Sequence, residues 1–344
     1  MKRIKFKYSL VLLLLVVSCG GPDALVINHV NNDGSIDRKI ILTWDKSDFD
    51  LESCQVPIDS TWTLHNSVEV SPKGDTTWVL TAEKHFNSVE EINSDYNSYS
   101  GTNANMRREA NFTKSFRWFN TVYYFSETIE GALDGYLPED YFTDEELNLF
   151  YMPDGMVDEL KSGGDSLRII ELSDSLEAKS EAWIGLNLVV ATINEIEIYI
   201  EKGYDGDFDI DSFRENKVEI ATRLMLEEGD QFTLIDSVFG AGFYENNKIL
   251  LDTSIAAMEE KFEVALDADS YLLQASMPGE LILTNGYIDN KSIVMWKVDG
   301  ESFLAGDYVM WAESKEVNRW AWIVTIAFLL FVISGVLLRL FRKR

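Results

Sequence analysis

Two cysteines, three histidines and six prolines are all that 344 residues contain of those three types. So little cysteine and histidine excludes the Cys- and His-rich clusters that hold structural zinc. The histidines, His29, His65 and His85, lie far apart and early in the chain, so their spacing builds no metal-binding pair. No G-x-S-x-G, H-E-x-x-H or P-loop sequence is present. Scarce proline, with no Pro- or Ser-rich run and no internal repeat, leaves no linker at which to divide the chain.

Positive charge is scarce and unevenly placed. Against 58 acidic side chains stand 30 basic ones. Eight of the bases lie at the ends: Lys2, Arg3, Lys5 and Lys7, then Arg339, Arg342, Lys343 and Arg344. Residues 19–319 therefore carry all 58 acids against the remaining 22 bases, a net charge of −36. Such a segment repels nucleic acid and anionic headgroups, so a nucleic-acid partner is excluded. A hydrophobic content of 46% with 12% aromatics excludes a disordered chain.

The first residues, MKRIKFKYSLVLLLLVVSCGGP, pair a basic stretch with an apolar run too short for an ordinary membrane span. Residues 1–18 are expected to be a secretory signal. Val16-Val17-Ser18-Cys19 resembles a bacterial lipobox, which implies a diacylglycerol thioether on Cys19 as the new N-terminus. Cys54 is then the remaining cysteine and reads as a small buried hydrophobe.

Residues 320–338, WAWIVTIAFLLFVISGVLL, form an uncharged stretch of about 28 Å as a helix, close to the thickness of a bilayer core. Trp320 and Trp322 mark one end and the basic tail 339–344 marks the other. The positive-inside rule places that tail in the cytoplasm and residues 19–319 outside. Membrane lipid would be contacted through both Cys19 and residues 320–338, on the outer face of the cytoplasmic membrane.

Between the ends, Leu25-Val26-Ile27 and Lys39 to Trp44 flank Asn31-Asn32-Asp33-Gly34, a hairpin signal. Thr61 to His65 and Thr76 to Leu80 suggest a second hairpin. Ser88-Val89-Glu90-Glu91 and Thr143-Asp144-Glu145-Glu146 are capping boxes that open helices. Residues 97–111 read as a loop, and Phe116 to Thr128 as one long aromatic strand. Trp183, Leu186, Val189, Val190, Ile193, Ile196 and Ile200 recur at helical spacing and predict a helix over 174–202. Further helices are expected at 211–228 and 253–265. From Tyr271 strands return, with Glu280 to Thr284 and Ser292 to Trp296 expected to form a hairpin about Asn285-Gly286. The fold expected is one α+β domain, an antiparallel sheet of N- and C-terminal strands with a central helical layer at about 140–266, followed by one membrane helix.

The lipobox, the β-rich start, the segment Pro278-Gly279…Thr284-Asn285-Gly286…Trp296 and the single apolar span with its basic stop resemble the layout of LppM-like bacterial membrane lipoproteins. The resemblance covers both ends and the last strands, not the helices. It implies an envelope location and brings no catalytic residues.

Two motifs suggest chemistry. Gly164-Asp165-Ser166-Leu167 spells the GDSL string of a hydrolase group, but that serine needs a downstream histidine and all three lie upstream. Asp205, Asp207, Asp209 and Asp211 alternate as calcium ligands do at the start of an EF-hand loop. Ile210 replaces the turn glycine of that loop and Asn216 its closing Glu. A solvated loop, with Asp209 or Asp211 capping the next helix, is the other reading of the same residues. Trp44, Trp62, Trp78, Trp118, Trp296 and Trp311 fall in strands and serve the core or line a groove. The function expected is that of a membrane-anchored envelope lipoprotein whose acidic domain binds or scaffolds an envelope protein. The alternatives are a hydrolase built on paired carboxylates, with a cleft that drives their pKa values apart, or a calcium-binding ectodomain.

Overall fold

The computed structural model describes residues 23–342 except 48, 52–53, 72–73, 102–103, 165, 205, 207, 227–230 and 290–291. The expected signal segment 1–18, Cys19, Asp205, Asp207 and residues 343–344 of the tail lie outside the described residues.

The first hairpin forms as its turn chemistry dictates. Strands β1 (Asp23–Val30) and β2 (Ile36–Trp44) pair antiparallel across the Asn31–Gly34 turn, where Gly34 takes φ 96° and Asp33 accepts from the backbone and hydroxyl of Ser35. Strands β3 (Thr63–Val70) and β4 (Thr76–Phe86) make the second hairpin, with β3 exposed along its whole length at the sheet edge. Helix α1 (Val89–Ser98) starts at the first capping box, although Ser88 makes no side-chain cap. Glu91 instead accepts from the backbone and side chain of Asn87.

The aromatic run expected as one strand is a hairpin. Strand β5 (Arg108–Arg117), which also takes the end of the expected loop, turns at Trp118-Phe119 into β6 (Asn120–Ile129). No glycine or Asn-Gly marks the turn. Its carbonyls are satisfied from far along the chain: the Asn318 side chain donates to Arg117 O at 2.9 Å and the Asn318 backbone to Phe119 O at 2.9 Å.

Helices then dominate. Short α2 (Pro138–Tyr141), α3 (Asp144–Phe150) and α4 (Asp154–Lys161) lead to α5 (Ser166–Glu201), longer at its start than its apolar stripe suggests. Thr143 and Glu146 do form the reciprocal capping box. The region 211–228 is two helices, α6 (Ile210–Glu215) and α7 (Lys217–Leu226), and α8 (Gln231–Phe239), α9 (Phe243–Asn246) and α10 (Lys248–Leu266) follow. Helix α5 joins two cores. Leu176, Trp183, Ile184 and Leu188 pack with the strands, whereas Val189, Ile193 and Ile196 pack with Phe213, Leu234, Tyr244 and Leu250. The α+β fold thus has two hydrophobic cores that share one helix.

The last strands split between two sheets. Strands β7 (Tyr271–Ser276), β9 (Tyr287–Ile288) and β10 (Val294–Val298) complete a seven-stranded sheet ordered β3-β4-β2-β1-β7-β10-β9, in which only β1 and β7 run parallel. Strands β8 (Glu280–Thr284) and β11 (Tyr308–Val317) join the other sheet, ordered β5-β6-β11-β8. Asn285-Gly286 is therefore a crossing between sheets and not the turn of a hairpin. The Asn285 side chain holds the crossing: it donates to Val309 O at 2.5 Å and accepts from Trp311 N at 2.9 Å and Trp296 Nε1 at 3.0 Å.

Helix α11 (Arg319–Phe341) follows β11 after the single residue Asn318. Among the described residues two helices are long and apolar enough to cross a membrane, α5 and α11. They differ in cover: 56% of the apolar window of α5 is buried inside the protein, against 6% of that of α11.

Candidate functional site

The described residues singled out in the sequence do not gather at one place. Asp209 caps α6 by accepting from Ser212 N at 3.1 Å, and Asp211 pairs with Arg214 at 2.5 Å. Among the described residues no group of three or more His, Cys, Asp or Glu side chains is arranged to hold a metal. His29 bonds Ser276, His85 bonds Asp37, and His65 stands on the exposed edge strand. Ser166 is the first residue of α5. Cys54 is buried, and burial pushes its thiol up, so it stays protonated as a packed hydrophobe.

A different cluster gathers where β10 leaves its sheet. Val294, Trp296 and Val298 alternate into the core, which turns Lys297 toward the opposite face. The chain then turns through Asp299-Gly300 into a short helical turn, Glu301–Phe303. Asp299 Oδ1 accepts from the Ser302 backbone at 2.9 Å and hydroxyl at 2.6 Å. Its other oxygen pairs with Lys297 Nζ at 3.0 Å, and Asp154, at the start of α4, lies 3.5 Å from the same ammonium. Gly300 permits this turn, because a Cβ there would stand 2.0 Å from the Ala265 carbonyl oxygen. Gly300→Ala must push the turn off the end of α10 and is expected to cost about 1–3 kcal/mol. A fall in thermal midpoint checks this, and an unchanged midpoint contradicts the packing described.

The cluster borders a cavity of about 310 Å³. Its floor is apolar: Leu149, Phe150, Val157, Leu176 and Ile184. Its rim is acidic. Glu177 and Glu181, one helical turn apart on α5, line it together with Asp154 and Glu301, and Lys297 is the one cation among the described lining residues. Ser173 Oγ, a further turn back on α5, is buried beside the cleft with no hydrogen-bond partner among the described residues. Burial opposes the charge on Lys297, but the Asp299 and Asp154 carboxylates outweigh it and raise its pKa. Burial likewise opposes the charge on Asp299, and Lys297 with the Ser302 donors holds it below the usual range. Glu301 goes the other way. Desolvation first, then the neighbouring Asp299 charge, with Glu177 and Glu181 adding, push it up to about 7. Asp299 and Glu301 thus titrate far apart, as a carboxylate pair for hydrolysis would. Both oxygens of Asp299 are already engaged, however, so it is a positioning group and not a free base.

On the far side of the same loop lies a groove of about 490 Å³ walled by aromatic rings. Tyr124 and Trp311 stack at 6.0 Å, and Tyr151 and Tyr308 at 5.4 Å. Tyr308 donates to Lys297 O at 3.0 Å, so groove and cleft share one wall. Of the tryptophans expected in the core or along a groove, Trp62 and Trp296 are buried in the core and Trp311 lines the groove. Sequence reasoning missed Lys297, Asp299 and Glu301, although their alternate spacing at a strand end is visible. Asp154, Glu177 and Glu181 arrive from helices remote in sequence and carry no local signal. Comparison with known proteins adds no relative: no family model matches the chain, nor does any curated protein or solved structure.

Proposed function

We propose that the chain is a membrane-anchored binding protein of a bacterial cell envelope, whose cleft takes a basic, partly apolar segment of another envelope component. The observation that carries the reading is a carboxylate rim set over an apolar floor in a strongly acidic domain. The rim attracts and orients a cation, the floor buries the aliphatic part beside it, and Ser173 Oγ offers a hydrogen bond inside. The poor cover of α11, its uncharged length and its basic end support a span of the cytoplasmic membrane with the acidic domain outside. A lipid on Cys19 is the second anchor of this reading, in keeping with the layout resemblance to LppM-like lipoproteins.

Carbodiimide treatment of membranes tests the cleft, because it joins a carboxylate to a lysine that touches it. A crosslinked product is expected from the native chain and is expected to be lost in the triple variant Glu177→Gln, Glu181→Gln, Glu301→Gln. An unchanged product contradicts the reading. The interaction should also tighten as pH rises through about 7, because a bound cation favours ionised Glu301 and binding then releases its proton. Glu301→Gln should flatten that dependence. The anchor is tested by intact mass: residues 19–344 plus lipid are expected, and a chain retaining residues 1–18 contradicts lipidation.

A further inference from the structure

The tip of the β5–β6 hairpin sits against the start of α11 through a set of rings. Phe116 stacks on Trp320 at 6.1 Å with the planes 10° apart, Trp118 meets the same indole edge-on at 5.4 Å, and Phe119 lies 4.4 Å from Trp322. Trp118 Nε1 donates to Thr325 Oγ1 at 2.9 Å. Thr325 lies about 9 Å along the helix axis from Arg319, so the tip reaches well past the first turn. The placement is rigid. Asn318 bonds the carbonyls of Arg117 and Phe119, and Thr121 Oγ1 donates to Asn318 Oδ1 at 3.0 Å. Even so, Phe116 and Trp118 remain 59% and 48% exposed, large apolar rings on a surface that is otherwise strongly charged.

The charge changes sign at the same place. From Lys114 to Asn120 there is no acid, and Arg117 and Arg319 are both exposed beside the rings. The rest of the domain is repelled by an anionic surface, and this corner is attracted to one. Aromatic rings flanked by arginine at the end of an apolar helix are the composition of a membrane interface.

We infer that the Phe116–Phe119 tip is a second membrane contact, inserted at the headgroup boundary beside α11 with Arg117 and Arg319 on lipid phosphates. The inference rests on the reading that α11 spans the bilayer. Its consequence is orientational. With one residue between β11 and α11 and a second contact beside the helix, the domain is held at a fixed tilt and height over the membrane and does not swing on a tether.

The test uses the full chain in vesicles of phosphatidylcholine and phosphatidylglycerol, with a photoreactive p-benzoylphenylalanine placed singly at Phe116, at Leu330 within α11, or at Leu64 on the exposed edge strand. Irradiation is expected to add one phospholipid mass at Phe116 and Leu330 and none at Leu64. A lipid adduct at Leu330 without one at Phe116 overturns the inference and leaves the span standing. Absence of lipid at Leu330 overturns the span itself. Capture of a second copy or another protein at Phe116, or equal lipid labelling at Leu64, also overturns the inference. Trp118→Phe, which keeps a ring at the tip, gives an independent reading: quenching of tryptophan fluorescence by lipids brominated near the headgroup is expected to fall, and undiminished quenching counts against the proposal.

Discussion

Glu127→Ala is expected to lower stability by about 3–5 kcal/mol, because it leaves a buried guanidinium without its counter-charge. Arg38 and Glu127 are 2% and 5% exposed and form an ion pair between the two sheets, Arg38 on β2 and Glu127 on β6. The pair is closed by neutral groups. Arg38 Nε donates to Asn28 Oδ1 at 2.7 Å and another guanidinium nitrogen to Tyr96 Oη at 2.5 Å. Asn28 Nδ2 donates to Glu127 Oε1 at 2.7 Å and the Tyr96 hydroxyl to Oε2 at 2.8 Å. Removing Glu127 therefore strands three donors from three elements, β1, β2 and α1. Arg38 cannot escape by losing its proton, because a guanidinium stays charged even when it is buried. Pairing Glu127→Ala with Arg38→Met removes the stranded charge, so the double variant is expected to lose less than Glu127→Ala alone. Urea unfolding of the four members of this cycle, followed by tryptophan fluorescence, gives the coupling. A loss under about 1 kcal/mol for Glu127→Ala contradicts the assignment of a dry, closed network.

The same network marks where the sequence could be read and where it could not. The alternation of β1 and β2 puts Asn28 and Arg38 in phase with Val26, Val30, Ile36 and Ile40, so their inward direction is implied by period two. What they bond to is not, since Glu127 lies 89 residues beyond Arg38. Elements closed by their own residues were legible: the Asn31–Gly34 hairpin, the Thr143 capping box, the apolar stripe of α5. Elements closed from afar were not. The Trp118-Phe119 turn depends on Asn318, 201 residues downstream of Arg117. Asn285-Gly286 carries a hairpin signal, yet Asn285 spends its amide on β11 and so sends the chain to the other sheet. The candidate cleft follows the same rule. Its three loop residues share a short stretch, but a cleft exists only because α4 and α5 bring Asp154, Glu177 and Glu181 beside them. The aspartates of 205–211 show the converse. A pattern suggestive of ligation is used locally where it is described, Asp209 as a cap and Asp211 as an ion-pair partner.

Trp183→Ala should couple the fold to the cleft. Trp183 is wholly buried at the middle of α5, with Phe142 and Phe150 rings at 5.8 and 6.0 Å. Truncation leaves a large cavity where helix meets strands, and the expected loss is about 3–5 kcal/mol. The hydrogen bond is the smaller part. Trp183 Nε1 donates to Tyr136 O at 2.8 Å, but Asn187 Nδ2 also reaches that carbonyl at 3.3 Å, so it keeps a partner. Trp183→Phe keeps a ring and is expected to lose about 1–2 kcal/mol. The alanine variant has a further effect that the cleft predicts. Phe150 is both a neighbour of Trp183 and part of the apolar floor beneath the acidic rim, and Ile184 continues that floor from the next residue of α5. When Phe150 slumps into the cavity the floor deepens, while Glu177, Glu181 and Glu301 keep their charge. Well below its melting midpoint, the folded variant should therefore show weaker carbodiimide crosslinking to the partner with its salt dependence unchanged. The rim variant should lose the crosslink and keep stability. If Trp183→Ala crosslinks as well as the native chain, the rim alone does the binding and a simple polycation should serve as ligand. If it fails while the rim is intact, the partner must present apolar surface beside its charge, because only that surface senses the floor.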